Sequence, residues 1–206
     1  MSVRKLSTAS ILSPAYKNSK IWDGTTFPGY FESIATVVVD ASGSSSILFS
    51  NIPQNYAHLQ IRYTARTSRS STDGDYMRVR FNGDTTNNYS SQHWIGGDGA
   101  NVSAGYDGAS GAGIYVERLT AASQLASAYG VGVIDILDYT STSKTKVLRY
   151  LTGADINGTF TAYNVRQGSG MWLTSNTAIS SITIDVGVGP NFAQYSTFAL
   201  YGIRGA

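Results

Sequence analysis

The chain has 206 residues, a mass of 22.0 kDa and a formal charge of +2 from 15 basic and 13 acidic side chains. That length suits one domain, or one domain with an arm. Cysteine is absent and there are two histidines, which excludes disulfides, thiolate metal sites, a cysteine nucleophile and a three-histidine metal site. No apolar run approaches the roughly 20 residues of a spanning helix, and so small a charge does not mark a nucleic-acid binder. Ser, Thr, Gly and Asn make up well over a third of the chain, and aromatics 12%. Such a mixture is poor helix material and good strand-and-turn material.

Residues 1–32 differ from the rest. Arg4, Lys5, Lys17 and Lys20 precede the first acid, Asp23. Pro14, Asp23-Gly24 and Pro28-Gly29 punctuate the segment, and its large apolar residues follow no period. It lacks the continuous apolar core of a secretory signal. A disordered tail is one reading, but disordered tails are short of aromatics. A basic arm with spaced aromatic anchors suits an extended segment ordered on a neighbouring subunit, with Trp22, Phe27 and Tyr30 as candidate partner-binding residues.

From residue 33 to 206 the period is two, as in strands. Leu59, Ile61, Tyr63 and Ala65 alternate with His58, Gln60, Arg62, Thr64 and Arg66; Met77, Val79 and Phe81 alternate with Tyr76, Arg78 and Arg80. Further strands are expected at 33–39, 46–49, 89–95, 113–119, 126–137, 146–154, 159–167, 171–174, 179–188 and 196–204. Turns are expected at Asn82-Gly83-Asp84, Asn157-Gly158, Gly168-Ser169-Gly170 and Gly189-Pro190-Asn191. The Gly-rich stretch Gly96–Gly113 reads as a long surface loop. Only 118–128 could form a turn or two of helix. The expectation is a single antiparallel β-sandwich of jelly-roll type over 33–206, following an N-terminal arm over 1–32. Its core should include Leu59, Ile61, Tyr63, Val79, Phe81, Val133, Ile182, Ile184, Phe198 and Leu200.

Catalytic and metal signatures are missing from the sequence. His58 should face outward from a regular strand, His93 lies in SSQHW, and no G-x-S-x-G elbow occurs. Asp135 and Asp138, three apart on a strand, should face opposite sides. Asp73, Asp75 or Asp98 could touch calcium, but the EF-hand spacing is absent. No phosphate-binding loop is present, so no cofactor and no catalytic residue is expected. Basic residues do cluster. Arg62, Arg66, Arg78 and Arg80 fall on two strands, and if these form a hairpin their like charges need compensation by loop acids or by an acidic partner. They read either as a solvated face or as a partner-binding patch; nucleic acid is the weaker alternative. Tyr89, Trp94, Tyr106 and Trp172 could form a carbohydrate platform or serve as interface anchors.

Three stretches carry a resemblance: NIPQNYAHLQIR from Asn51 to Arg62, continuing to Thr64-Ala65-Arg66; RFNGD from Arg80 to Asp84, with Asn88-Tyr89; and Ser181–Ile184 with Phe198–Ile203. They resemble segments of structural proteins of tailed-bacteriophage virions. They are strand-and-turn signatures rather than catalytic motifs, and residues 1–32 are not among them. The resemblance implies a non-enzymatic virion component on the capsid exterior. A decoration (cement) protein bound to the major capsid protein comes first, and a head fibre or tail-associated protein next. It implies a homo-oligomer, a trimer before other orders, with no nucleic-acid or membrane partner. The carbohydrate- or receptor-binding head of a phage fibre is the alternative, and a polysaccharide depolymerase the third class.

Overall fold

The computed structural model describes residues 31–70, 72, 74–96, 103–154, 165–174 and 177–204, with the backbone alone for 94–96 and 103–110. The anchors Trp22, Phe27 and Tyr30 fall outside the described residues, as do Asp73, Asp98 and the Asn157-Gly158 turn. Phe31 and Glu32, grouped with the arm on sequence, open the first strand.

The described chain is all-β: β1 (Phe31–Val38), β2 (Ser46–Phe49), β3 (His58–Ala65), β4 (Gly74–Phe81), β5 (Tyr89–Gly96), β6 (Ser103–Gly111), β7 (Ile114–Thr120), β8 (Gly130–Leu137), β9 (Lys146–Ala154), β10 (Val165–Trp172), β11 (Ile182–Val186) and β12 (Thr197–Ile203). They form an antiparallel sandwich. The larger sheet has eight strands in the order β1-β12-β3-β8-β9-β10-β5-β6, the smaller one four in the order β2-β11-β4-β7. With β5, β6, β9 and β10 set aside, the chain changes sheet at every step but one, β4 to β7, which pair with each other in the smaller sheet. The first strand then lies beside the last, and the second beside the second-to-last. That is the double Greek key of a jelly roll. The four remaining strands are two insertions, and both extend the larger sheet beyond β8.

Alternation makes the core. Leu59, Ile61 and Tyr63 of β3, Met77, Val79 and Phe81 of β4, Ile134 and Ile136 of β8, Ile182 and Ile184 of β11, and Phe198 and Leu200 of β12 are buried in one cluster between the sheets. Phe192 and Phe198 meet edge to face with centroids 4.9 Å apart. Burying each such side chain contributes about 1.5–3 kcal/mol before the entropy of ordering it is counted.

The turn between β4 and β5 carries the chain from the smaller sheet to the larger. Asn82 and Gly83 have φ of 52° and 68°, and Asp84 N–H donates to Phe81 O at 2.9 Å, as an Asn-Gly turn of the mirror type requires. Asp84 then accepts from Trp172 Nε1 at 2.8 Å and from Thr86 and Asn88. Burial works against its charge, but these donors outweigh that and bring its pKa down to about 2.

Several expectations are corrected. Arg62 and Arg66 do not face Arg78 and Arg80 across a hairpin, because β3 and β4 lie in different sheets: β3 pairs with β12 and β8, β4 with β11 and β7. Gly168-Ser169-Gly170 is not a turn but the middle of β10. Its glycines admit neighbours that pack over the strand: a Cβ on Gly168 would come 2.5 Å from the Tyr150 ring, and one on Gly170 would come 2.4 Å from Ile114. The Gly-rich stretch contains β6, which pairs with β5. Residues 121–129 form turns rather than helix. Val133 is not core; it stands opposite Arg62 and Leu151 on the outer face of the larger sheet.

Candidate partner-binding surface

Cross-strand register places the outward residues of the larger sheet in rows. One row runs Val38, Thr197, Thr64, Val131, Gly153 and Val165; the next runs Thr36, Ala199, Arg62, Val133, Leu151 and Gln167. Neighbours in a row stand about 5 Å apart. Val131, Val133, Leu151 and Val165 therefore surround Gly153, whose missing side chain leaves a groove. The groove is a cavity of about 430 Å³ that also touches Arg62, Tyr63, Gly132 and Thr152. Val131 is 52% exposed, Leu151 57% and Val165 54%. A second cavity of about 400 Å³ lies at the β9-β10-β5 side, where Val147, Met171 and Leu173 meet Ser90, Gln92 and Ser169.

These side chains face outward because the alternation of their strands forces it. Ile134 and Ile136 take the inward positions of β8, leaving Val131 and Val133 no choice of side. Contiguous apolar surface of this kind marks an interaction site more often than it marks an ordinary surface. Around it the face is polar and paired. Asp135 accepts from Gln60 at 2.7 Å and from Arg149 at 2.9 Å. Glu32 accepts from Arg204 and Tyr56 at the β1 edge; the Arg204 hydrogen bond, ahead of the Tyr56 one, lowers its pKa.

The four arginines singled out on sequence separate. Arg62 is exposed at the groove margin, with its guanidinium 4.8 Å from the Phe31 ring centroid and 5.6 Å from that of Tyr201. Arg66 turns to the loop that follows β7, where it donates to the carbonyls of Ala122, Gln124, Leu125 and Ala128 at 2.8–3.0 Å; it holds that loop in place. Arg78 and Arg80 project from the outer face of the smaller sheet onto Asp185 of β11. Arg80 donates to the carboxylate at 2.6 Å, and Arg78 Nε lies 4.0 Å from it. The compensation that the like charges call for is thus supplied within the molecule, by an acid from a strand distant in sequence.

The aromatics considered for a sugar platform behave likewise. Tyr89 and Trp172 lie in β5 and β10, buried, stacked on each other at 6.3 Å and packed against Phe81. The side chains of Trp94 and Tyr106 lie outside the described set. Asp135 and Asp138 go to separate partners: Asp138 lies past the strand end, at φ 47°, and pairs with Lys144 at 2.7 Å. His58 Nδ1 accepts from the Asp138 backbone N–H at 3.0 Å. Among the described residues no group of three His, Cys, Asp or Glu side chains could hold a metal ion.

Sequence reasoning missed the apolar outer face. Its signal was the run VGVIDIL from Val131 to Leu137, which is apolar at both odd and even positions; a strand with one face in water should not be. Compared with known proteins, the chain matches no family model, no curated protein and no solved structure.

Proposed function

We propose that this protein is a non-enzymatic structural component of a tailed-phage virion: a decoration protein that docks on the major capsid protein through the outer face of its larger sheet. The observation that carries the reading is the groove around Gly153, with three large side chains each more than half exposed on a rigid sheet. A preformed apolar patch with a polar rim loses little entropy on binding and has the anatomy of an interface core. Arg62, at the groove margin, supplies the charge suited to an acidic capsid exterior. The virion setting comes from the sequence resemblance; the docking face comes from the geometry. With Tyr89 and Trp172 in the core, no described aromatic platform favours the sugar-binding alternative.

The test is attachment of the full chain to bare capsids, scored as copies per particle. The parent should bind in numbers matching the capsid lattice, and Leu151→Asp with Val131→Asp should abolish binding while leaving the fold intact by circular dichroism. Attachment of the double variant at parental stoichiometry would overturn the docking face. Failure of the parent to attach, or attachment in only a few copies, would overturn the decoration role.

A further inference from the structure

We propose that Tyr195 is a principal anchor of capsid docking, displayed by a strained corner at one end of the larger sheet. This rests on the capsid-docking reading and adds to that face a residue outside the groove. The corner consists of two turns held by one arginine. Ser196 N–H donates to Ala193 O at 3.1 Å, and Ala128 N–H donates to Leu125 O at 3.1 Å. The third residue of each turn has a positive φ, 67° at Tyr195 and 66° at Ser127, and the second residues do not. That is the pattern of a type II turn, whose third position calls for Gly or Asn. Neither turn has one there.

Arg66 grips both turns. Its guanidinium donates to the carbonyls of Leu125 and Ala128, the two ends of one turn. Its backbone carbonyl accepts from Ala193 N–H at 2.8 Å and from Ser196 Oγ at 3.3 Å, the two ends of the other. Tyr195 N–H donates to Val39 O at 2.9 Å, and the Tyr129 hydroxyl donates to Gln194 O at 2.7 Å. Each residue of the Ala193–Ser196 turn is thus tied down, and the backbone of Tyr195 has no freedom to relax. A bulky residue at positive φ is an outlier, and it persists only where the surroundings hold it at a cost in stability. Packing of the ring could offset that cost, but the residue is 68% exposed. A clamp that holds a strained tyrosine while leaving its ring in water suits a ring that a partner uses.

The corner adjoins the docking face. Thr197, Thr64 and Val131 stand side by side in the row that leads to the groove, and Tyr195 and Tyr129 come two residues before Thr197 and Val131. Leu125, 53% exposed, lies on the neighbouring turn. Tyrosine is among the residues that dominate protein interfaces: it buries a large rigid ring for the loss of two side-chain rotations, and its hydroxyl finds a partner at the wet rim. A turn already fixed in its bound geometry loses little entropy on docking. The partner surface it fits is a pocket of the capsid protein with apolar walls and a hydrogen-bond acceptor at its lip.

The experiment makes two measurements on full-length Tyr195→Asn: its Tm, and the concentration at which it half-saturates bare capsids. Asn accepts a positive φ, so relief of strain should raise Tm by about 1–3 °C, while half-saturation should move at least tenfold higher. Leu48→Ala, on the outer face of the smaller sheet, should leave attachment unchanged. The opposite signs separate an anchor from a residue that serves the fold. A Tm no higher than the parent's would remove the strain, and parental attachment of Tyr195→Asn would show that the capsid does not use the ring; either result overturns the proposal. So does a change of oligomeric state with attachment intact, which assigns the ring to a second copy of the chain. The variant carrying Leu151→Asp with Val131→Asp, measured alongside, keeps the anchor and the groove apart. Loss in that variant with parental attachment of Tyr195→Asn removes the anchor and leaves the groove, whereas loss in Tyr195→Asn alone removes the groove and leaves the anchor. Failure of the parent to attach overturns both.

Discussion

On the outer face of the four-stranded sheet, Arg78 and Arg80 share Asp185, Tyr76 meets the Tyr115 ring edge-on at 5.2 Å, and Leu48 is the exposed large apolar side chain among the described residues. On the outer face of the eight-stranded sheet the same class holds Phe31, Val38, Val131, Leu137, Leu151, Val165 and Met171. The smaller face is finished for water, its charges answered by its own strands. The larger face is not. Much of the difference comes from β9 and β10, which are not jelly-roll strands: they widen the larger sheet past β8 and supply Leu151, Val165 and Met171. A fold that needs eight strands to close its core has thus gained a broad surface that its own core does not require.

The largest expected effect falls where both faces depend on one core. Ile184→Ala should cost about 2–5 kcal/mol in urea unfolding, and a loss below about 0.5 kcal/mol would show that β11 does not tie the sheets together. Removing the acid of the smaller face comes next. Asp185→Ala leaves Arg78 and Arg80 half-buried against each other, and about 1–3 kcal/mol should be lost; a neutral result would mean that this face is not held by its charges. The link between the faces has a pH signature. Asp84 has a folded pKa of about 2 against an ordinary 3.8, so its contribution is present above about pH 4 and is lost as pH falls towards 2. Asp84→Asn should flatten that part of the stability profile, and an unchanged slope would place the dependence elsewhere.

The smallest effects on stability sharpen the contrast most. Leu151→Asp on the larger face should move stability by no more than about 0.5 kcal/mol, since the side chain is more than half exposed on that face. A greater loss would make the apolar face part of this protein's own packing. Beneath the groove, the Tyr63 hydroxyl is buried with no hydrogen-bond partner among the described residues, and burial pushes its pKa up. Tyr63→Phe should therefore be neutral, or gain up to about 1 kcal/mol; a clear loss in thermal unfolding would reveal a partner for that oxygen.

The alternation around Ile61, Val79, Ile184 and Leu200 was legible because a strand with one side buried writes its orientation at every second residue. The Asn82-Gly83 turn was legible because few residues accept two successive positive φ values. Val133 was misplaced because the run around it is apolar on both sides, so alternation alone does not say which side is the core. Gly168 and Gly170 read as a turn because glycine is the common turn residue, whereas here it clears space for Tyr150 and Ile114 from other strands. The separation of Arg62 from Arg78 was invisible for a related reason: whether successive strands pair or change sheets is not encoded in either strand.

By itself the sequence determined the material and the period: a helix-poor chain of short alternating strands, free of cysteine chemistry, with its buried side chains largely identifiable in advance. The tertiary structure decided everything that depends on which strand lies beside which. It brought Asp185 to Arg78 and Arg80, spent Arg66 on a loop, and grouped Val131, Leu151 and Val165 around Gly153. The physical reason is range. Side-chain direction along a strand is set by the neighbouring peptide units. Pairing between strands is set by closing one core, and its partners come from more than a hundred residues away, as Asp185 does to reach Arg80.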